Sequence, residues 1–370
     1  MKNNLTTFVF IGGRQSRIDD GSKFPKEFYY GYFSFLKKFE NIELFELNKP
    51  NRNKIIILID KIMFKIFKFP LGLANVFSIR TYKQYKKSSN LVLVNEHVFF
   101  STIFLIGFLR LFKKINTTVF LMGMFQNINS RNILQKLLVK FSFFIANNLV
   151  FLGEGEYEHA KKLFKKNKSK FSCIPFCVDQ DFWESDDDYD YSNRDYILFV
   201  GNDLNRDFAN LEKIVGLLTE YKFKLVSTRI DKNIEKLSNV EVIGGSWHNK
   251  KLSDIQLKEL YSRAKIVLIP LKDTIQPSGQ SVALQSMSCK TPVLITKTIG
   301  FWDNTNFADE ENIFFLQSNT PDEAVLKIRK LINDKDRLNF VSNSAYETVR
   351  THYKLENFSE KLEEIIFKAI

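Results

Sequence analysis

The sequence contains few of the residues that cross-link a chain or bind metal ions. Three cysteines and four histidines occur in 370 residues. These are too few for a disulfide framework, and none has the clustered spacing of a zinc site. Cys173 and Cys177 are interpreted as small buried apolar residues of a protein in a reducing compartment. We therefore expect neither disulfide bonds nor a bound metal ion.

Long uninterrupted apolar segments are also missing. The apolar run that follows Met1 is too short for a signal peptide, and no small-residue cleavage site follows it. Residues 91–109 come closest to a membrane span, but Asn95, Glu96 and His97 interrupt them. The sequence thus predicts a soluble or peripheral protein, in the cytoplasm or at the inner face of the cytoplasmic membrane.

Charge is plentiful but unevenly distributed. Residues 1–180 contain 29 Lys/Arg and 12 Asp/Glu, whereas the remainder contains 25 and 30. A basic first half joined to a mildly acidic second half implies different partners for the two. Anionic lipid, an anionic acceptor and nucleic acid are all compatible with the basic half. No base-stacking or groove-reading motif supports nucleic acid, so we expect no such partner.

The length of the chain and the alternation of its segments indicate two α/β domains. A chain of 370 residues exceeds the size at which one core usually keeps growing. In both halves apolar strand segments alternate with helical ones, which is typical of parallel sheets covered by helices. We predict an N-terminal domain over 1–175, a linker over 176–195, a C-terminal domain over 196–350, and a helix over 351–370 that packs back on the N-terminal domain.

Two segments of the N-terminal half have a helical pattern. A helix is predicted over 25–39, with Pro25 near its first position. In a second segment lysines alternate with apolar residues at near-helical spacing, namely Lys54, Lys61, Lys65 and Lys68. Two interpretations of this segment remain open: a docking face for an anionic membrane, or a solvated helix face.

The segment from Gln276 to Val293 is the most informative part of the chain. It follows a predicted buried strand, and ligands of open parallel sheets bind outside the carboxyl ends of the strands. Ser278 is a candidate N-cap for the helix that comes next. Backbone N–H groups would then point out of the helix N-terminus, where the dipole favours a diphosphate. They belong to Gly279, Gln280 and Ser281.

Gln285 lies further along the same predicted helix. At about 1.5 Å per residue it stands roughly 8–10 Å from the helix N-terminus, and its side chain leans back toward that end. It could therefore reach a ribose whose diphosphate occupies the cap. An ordinary capped helix with a polar face is the alternative interpretation of the whole segment.

Several segments together resemble one enzyme family. Residues 285–293, Gln-Ser-Met-Ser-Cys-Lys-Thr-Pro-Val, resemble the Glu-Ala-Met-Ala-x-Gly-x-Pro-Val stretch of GT-B glycosyltransferases, notably the retaining enzymes of family 4. Residues 174–182 resemble the interdomain Ile-Pro-Asn-Gly-Val-Asp-x-x-x-Phe of that family. Gly12-Gly13 stands at the place of its first glycine-rich turn. The resemblance implies the GT-B fold, in which two Rossmann-like domains with parallel sheets face each other across a cleft.

The resemblance also implies donor-binding residues. The strand and turn over 196–206 resemble those that open the family's donor domain, where an Arg and a Lys meet the diphosphate. Here the turn begins with Gly201 and ends with Arg206, and Arg229 after the next strand is a second candidate. Gln285 replaces the glutamate that binds the donor ribose, and so keeps a hydrogen-bond acceptor but lacks the charge. The family's first glutamate has no clear counterpart, and Gln276 is the nearest polar residue.

Three more residues acquire candidate roles from the resemblance. Glu96 and His97 end a predicted strand at the expected cleft. There His97 would bind a hydroxyl of the transferred sugar or stabilise charge at its anomeric centre, unless it is an ordinary histidine at a strand end. Glu96 would be the general base if the enzyme inverts. Trp247 would stack on the nucleobase, unless it is a core residue.

The resulting prediction is a hexosyltransferase-type enzyme that uses a UDP- or GDP-sugar. Its acceptor would be a glycan or lipid-linked molecule held by the basic domain, in the biosynthesis of surface polysaccharide or glycoconjugates. The resemblance implies retention and no metal or other cofactor, because positive side chains and a helix N-terminus neutralise the leaving diphosphate. Two alternatives stay open: a non-catalytic sugar-nucleotide-binding protein of the same fold, and a basic nucleic-acid-binding protein, which charge alone motivates.

Overall fold

Parallel strands form the core of both halves of the chain. The computed structural model describes residues 4–21, 23–47, 54–67, 72, 76, 78–126, 128–184, 193–245 and 251–367. The first sheet has the order β2-β1-β3-β4-β5-β6. Its strands are β1 (Thr6–Phe10), β2 (Ile42–Glu46), β3 (Asn90–Leu93), β4 (Asn116–Leu121), β5 (Asn148–Phe151) and β6 (Phe171–Cys173). The second sheet has the order β12-β11-β10-β7-β8-β9. Its strands are β7 (Tyr196–Val200), β8 (Lys222–Val226), β9 (Val240–Ile243), β10 (Ala264–Ile269), β11 (Val293–Thr296) and β12 (Phe314–Leu316).

Helices connect the strands and cover the sheets. In the first half they are α1 (Gln15–Asp19), α2 (Tyr32–Lys38), α3 (Lys54–Phe67), α4 (Ile79–Lys87), α5 (Glu96–Arg110), α6 (Ile133–Ile145) and α7 (Glu154–Leu163). They continue as α8 (Gln180–Trp183), α9 (Phe208–Leu217), α10 (Asp254–Ser262), α11 (Gln280–Ser288), α12 (Pro321–Ile332), α13 (Lys335–His352) and α14 (Leu355–Phe367). Strands alternate with helices and pair in parallel, so the predicted pair of α/β sheets is confirmed.

The prediction of one continuous helix over 25–39 is wrong, and the break in this helix affects the site. Glu27–Tyr29 form a 3-10 turn, and α2 begins only at Tyr32. Tyr30 and Gly31 between them have φ angles of 50° and 84°, a left-handed conformation that glycine adopts readily. Glu27 is thereby placed in the protein interior with no exposed surface.

The strand predicted to end in Glu96 and His97 is shorter than expected. β3 ends at Leu93, and the Asn95 side chain accepts a hydrogen bond from Val98 N at 2.8 Å. Asn95 is therefore the N-cap of α5, a position that asparagine favours. Glu96 and His97 belong to the first turn of this helix and do not end a strand.

The last helix crosses from the second half of the chain to the first sheet. α14 packs against α2, and Phe358 stacks on Phe120 of β4 with ring centroids 5.6 Å apart. Leu362 and Ile366 are buried there, and Ile366 O accepts a hydrogen bond from Asn116 Nδ2 at 3.1 Å. The C-terminal helix thus completes the core of the N-terminal half.

Truncation of Leu362 tests how much this helix contributes. The Leu362→Ala variant should lose about 2–5 kcal/mol of unfolding free energy, because its side chain is removed from a packed interior. Lys361→Ala, at the exposed neighbouring position, is the control and should change the free energy by less than about 0.5 kcal/mol. Chemical denaturation followed by circular dichroism measures both, and equal effects would show that α14 is not part of the core.

Candidate functional site

The candidate site lies at the switch point of the second sheet. The chain leaves β7 toward β8 on one side and β10 toward β11 on the other, and a crevice forms where the strand order reverses. The two loops that leave β7 and β10 are tied together. Arg206 and Leu271 form an antiparallel bridge, and Lys272 N donates to Asn205 O at 2.8 Å. The switch point is therefore lined by two loops of fixed relative position.

Arg206 brings a buried positive charge to this crevice. Its relative exposure is 2%, and burial lowers the pKa of its guanidinium, which still stays charged. The ion pair with Asp203 spans 3.4 Å and leaves the carboxylate half exposed. Arg206 Nη2 donates to Val200 O at 3.5 Å, whereas Nε and Nη1 make no hydrogen bond among the described residues and Nη1 has only its ion pair with Asp203. A partly solvated ion pair contributes about 1 kcal/mol at most, whereas burying an ion costs several kcal/mol, so this guanidinium is not fully compensated.

The N-terminus of α11 lies beside that guanidinium. A Cβ at Gly279 would come within 3.3 Å of Arg206 Nη1 and 2.9 Å of Ile269 Cγ2. Gly279 has φ +82° and is the N-cap, so the prediction of Ser278 as N-cap is wrong. Ser278 Oγ accepts a hydrogen bond from Asn205 Nδ2 at 2.7 Å and helps to fix the loop. The first N–H groups of a helix have no partner within it, and they open toward the crevice beside Arg206.

Gln280 adds a further donor at this helix start. Its side chain is 4% exposed, and its Nε2 has no acceptor among the residues described. Together with Arg206 it presents buried donors next to a helix N-terminus, where the dipole favours negative charge. The chemistry of this donor set suits a phosphate or diphosphate.

A pocket adjoins the N-terminal end of α11. Gly201, Ser281 and Gln285 line it, as predicted residues of the donor site, and Val282 also lines it. Further lining residues come from other loops and helices and were not predicted, among them Phe28, Trp183, Asn202, Gly244, Gly245, Lys251 and Tyr261. Asn202 joins three loops, because its Nδ2 donates to Gly245 O at 3.0 Å and its Oδ1 accepts from Ser227 Oγ and Thr228 N.

Gln285 is held more tightly than the sequence suggests. Its Nε2 donates to Glu27 Oε1 at 2.9 Å, and its Oε1 accepts from the Tyr261 hydroxyl at 3.1 Å. Glu27 belongs to the N-terminal half, so this hydrogen bond joins the two domains. Burial raises the pKa of Glu27 to about 7, opposed by its hydrogen bonds with Gln285 and Trp183. Gln285 therefore lines the pocket with its amide already oriented by protein groups.

Gln276 lies at the domain interface. Its Oε1 accepts from Asn205 Nδ2 at 3.0 Å, and a Cβ at Gly123 would approach that oxygen to 2.9 Å. Gly123 belongs to the turn that leaves β4, and two carboxyl groups hold this turn, the half-buried one of Glu96 and the buried one of Glu156. Glu96 accepts from Met122 N at 3.1 Å, and Glu156 accepts from Gly123 N at 2.9 Å. Burial raises the pKa of both carboxyls, that of Glu156 to about 8.

Glu96 and His97 therefore have different surroundings. Glu96 supports the turn that faces Gln276. His97 is half-buried, its Nδ1 lies 3.4 Å from Ser101 Oγ, and burial lowers the pKa of its imidazole, while the Asp60 carboxylate of α3 acts in the opposite direction. The structure brings Glu96 close to the cleft through Met122, whereas the neighbours of His97 are in α5 and α3.

Three predicted donor residues do not line the pocket at the N-terminal end of α11, namely Gly12, Gly13 and Arg229. Gly12 and Gly13 adopt positive φ angles, but the Glu46 carboxylate already accepts hydrogen bonds from the next two N–H groups, those of Arg14 and Gln15. Arg229 is exposed and does not line the pocket. Trp247 falls outside the described residues, as does the acidic part of the predicted linker.

The cleft between the domains is closed by close packing. A Cβ at Gly153 would meet Pro277 Cβ at 2.7 Å, and a Cβ at Gly155 would meet Ile299 O at 2.1 Å. On the other side of the cleft Arg17 forms a salt bridge with Asp254. A pocket remains between the domains next to Gln276, with His159 and Asp273 among its lining residues.

The sequence could have indicated some of the missed residues but not others. Asn202 and Asn205 lie in the turn that follows β7. Ligands of open parallel sheets bind at the carboxyl ends of the strands, so polar residues in this turn could have been predicted to lie at the site. Glu27 and Trp183 gave none, because their importance comes from contacts with residues more than 100 positions away.

Comparison with known proteins gives the site its context. The family model described as Glycosyl transferases group 1 matches residues 214–348. No curated protein matches the chain by sequence. Among solved structures the chain is similar to a glycosyltransferase from Rickettsia africae, at 13% identity, with 100% of this chain and 99% of that chain covered and a TM-score of 0.66.

Two further solved structures match the chain over a similar extent. HepE of Anabaena in complex with UDP-glucose is 10% identical, with 99% of each chain covered and a TM-score of 0.69. Sucrose-phosphate synthase of Thermosynechococcus elongatus is 12% identical, with 99% of each chain covered and a TM-score of 0.70. The predicted GT-B fold is thereby confirmed.

Proposed function

We propose that this protein is a glycosyltransferase that takes its sugar from a UDP- or GDP-sugar. The observation that carries the proposal is the buried, under-compensated guanidinium of Arg206 beside the N-terminus of α11. It lies within a group 1 glycosyltransferase fold of which one structural relative was solved with UDP-glucose. A diphosphate would satisfy Arg206, Gln280 and the first N–H groups of α11 together.

In the proposed reaction these groups stabilise the charge of the departing nucleoside diphosphate. The negative charge on that leaving group grows as the glycosidic bond to it breaks, and fixed donors act most strongly where charge develops. The base and ribose would occupy the pocket lined by Asn202, Ser281 and Gln285. Since a guanidinium and a helix N-terminus supply the positive potential, we propose that no metal or other cofactor takes part.

The acceptor would enter from the domain interface. The pocket next to Gln276 lies between the two domains, and a hydroxyl bound there would approach the sugar from the side of the basic half. We propose a glycan or lipid-linked acceptor of surface polysaccharide or glycoconjugate biosynthesis, and a hexosyl group transferred with retention, as in the family 4 enzymes that the sequence resembles.

A non-catalytic sugar-nucleotide-binding protein is the second candidate. It is favoured by the two hydrogen bonds that already engage the Gln285 amide and by Pro277 at the position of the family's first glutamate. Incubation with UDP- and GDP-sugars and a panel of glycan and lipid acceptors separates the two. Release of UDP or GDP supports transfer, whereas binding without release across the panel supports the non-catalytic protein.

Replacement of Arg206 tests the donor site. Arg206→Met should weaken UDP or GDP binding by roughly 10- to 100-fold, because charge-assisted hydrogen bonds contribute about 1.5–3 kcal/mol. The ligand-free variant should not be less stable, since an under-compensated buried charge is removed. Calorimetric titration and thermal unfolding measure the two quantities.

Arg229→Met is the matched control for that experiment. Arg229 also follows a strand of the second sheet, but it is exposed and lies outside the pocket lining. Its replacement should leave nucleotide affinity within about twofold. Equal losses in the two variants would contradict the assignment of the diphosphate to Arg206.

The N-terminal half has an apolar surface suited to a lipid bilayer. Exposed apolar side chains line α3 and the ends of α5 and α6, and the most exposed of them are Ile55, Leu111, Phe112, Ile133 and Phe144. α6 packs against both α3 and α5, so these side chains lie on three neighbouring helices. Patches of this kind mark interaction surfaces.

Positive charge accompanies the apolar residues. Lys54, Lys61 and Lys65 are exposed on α3, while Lys68 lies outside the described residues. Among the residues described, no helix is long and apolar enough to cross a bilayer. We propose that this surface binds the interface of an anionic membrane, where apolar side chains enter the headgroup region and lysines meet anionic lipids. The location would then be the inner face of the cytoplasmic membrane.

A charge placed in this surface tests the membrane proposal. Leu111→Glu should lower the partition coefficient onto phosphatidylglycerol–phosphatidylcholine vesicles roughly tenfold, because a leucine no longer enters the apolar region. Leu326→Glu is the control, since Leu326 is 69% exposed in the C-terminal half and Leu111 is 77% exposed. Cosedimentation measures both variants. Vesicle binding that Leu111→Glu leaves unchanged would assign the apolar surface to a protein partner instead.

A further inference from the structure

A single carboxylate connects three parts of the molecule. Glu27 belongs to the N-terminal half and is completely buried. Its Oε1 accepts hydrogen bonds from Trp183 Nε1 and Gln285 Nε2, both at 2.9 Å. Its Oε2 accepts from Asp179 N at 3.3 Å. Asp179 and Trp183 lie between the domains and Gln285 in the C-terminal one, so the surroundings of Glu27 exist only in the closed molecule.

The linker also accepts a hydrogen bond from the segment that contains Glu27. The Asp179 carboxylate accepts from Lys26 N at 2.9 Å, next to the residue whose carboxylate accepts from Asp179 N. This reciprocal pair fixes the 3-10 turn that contains Glu27 against the linker. The carboxylate is therefore held in place before Gln285 reaches it.

The direction of each hydrogen bond determines which residue can stand at position 285. Tyr261 donates to Gln285 Oε1, and Gln285 Nε2 donates to Glu27. An amide can accept from one neighbour and donate to the other, whereas a carboxylate can only accept when ionised. A glutamate at 285 would place two carboxyl groups about 2.9 Å apart in a buried site, where only one of them can be ionised.

We propose that Glu27 is the positioning residue for Gln285, and that it completes the nucleotide pocket from the opposite domain. This inference rests on the proposed function, since Gln285 lines the pocket assigned to base and ribose. Glu27 and Tyr261 leave one Nε2 hydrogen and one Oε1 lone pair of Gln285 for a ribose hydroxyl. The glutamine at 285 and the glutamate at 27 thus form a matched pair, and the amide is fixed for the nucleotide only after the domains close.

An exchange of the two side chains tests the pairing. Gln285→Glu should weaken UDP or GDP binding more than tenfold and lower the thermal midpoint of the ligand-free protein. Adding Glu27→Gln to this variant should recover at least half of the lost midpoint and most of the lost affinity, because an amide again faces a carboxylate. Losses that simply add in the double variant would overturn the proposal.

The control uses another buried glutamine of the same helix. Gln280 is as buried as Gln285 but has no hydrogen bond to Glu27. Gln280→Glu should therefore show no recovery when Glu27→Gln is added. Recovery of the same size in both pairs would mean that Glu27→Gln stabilises the fold in general, and this would also overturn the pairing.

The pH dependence of the thermal midpoint separates the proposed pairing from a purely structural effect of the substitution, because a purely structural effect would not vary with pH. In Gln285→Glu, the introduced carboxyl group and that of Glu27 are protonated together below pH of about 5, so the thermal midpoint should recover there. Above pH of about 7 the full loss of thermal midpoint should be seen. The titratable groups near Glu27 are Asp179 and Cys177 in the linker and Tyr261 in α10. Burial raises the pKa of Cys177 and Tyr261, so both stay neutral over this range.

The ligand-free measurements keep this inference separate from the proposed function. If the wild-type protein binds no nucleotide, the proposed function fails, but the midpoint cycle still decides whether Glu27 and Gln285 are coupled. If nucleotide binds and the cycle shows no coupling, the proposed function stands and Glu27 has no positioning role.

Discussion

The buried guanidinium of Arg206 is the interaction on which the donor half of the molecule depends. Its burial costs several kcal/mol, and the half-exposed Asp203 returns only part of this. The surrounding structure must therefore hold the Arg206 guanidinium in this unfavourable position. The bridge from Arg206 to Leu271 and the side chain of Asn205 hold it there by tying the loop after β7 to the loop after β10. In the proposed function, the switch point keeps this charge for the diphosphate of the donor, at some expense of stability.

Glu27 is the counterpart of Arg206 on the other side of the cleft. Each is a buried charge whose environment is completed from outside its own domain, Arg206 by an anionic ligand in the proposed function and Glu27 by the amide of Gln285. The glycines at 153 and 155 allow the two halves to approach closely enough for this contact. The proposed positioning role of Glu27 would couple closure of the cleft to the orientation of the Gln285 amide.

The strands and most helices could be predicted from the sequence because they follow from local patterns. Runs such as Ile266–Ile269 are apolar throughout, and a strand buried on both faces requires this. The broken helix could not be predicted in the same way. Its apolar face continues through Tyr30 and Gly31, and only the left-handed backbone there separates the 3-10 turn from α2. Gln285 lines the pocket, but its partner Glu27 lies 258 residues away, beyond any periodic signal.

In the proposed function the two halves of the chain bind different partners. α14 covers the side of the first sheet where α2 lies, and exposed apolar residues are present on α3, α5 and α6. The proposed diphosphate site at the N-terminus of α11 belongs to the mildly acidic half, where Arg206 and a helix N-terminus act locally and a large positive field is unnecessary. The basic half would then attract an anionic surface without competing for the nucleotide. The shared GT-B fold does not dictate this division, because it results from lysines and apolar side chains on helices that the fold leaves free to vary.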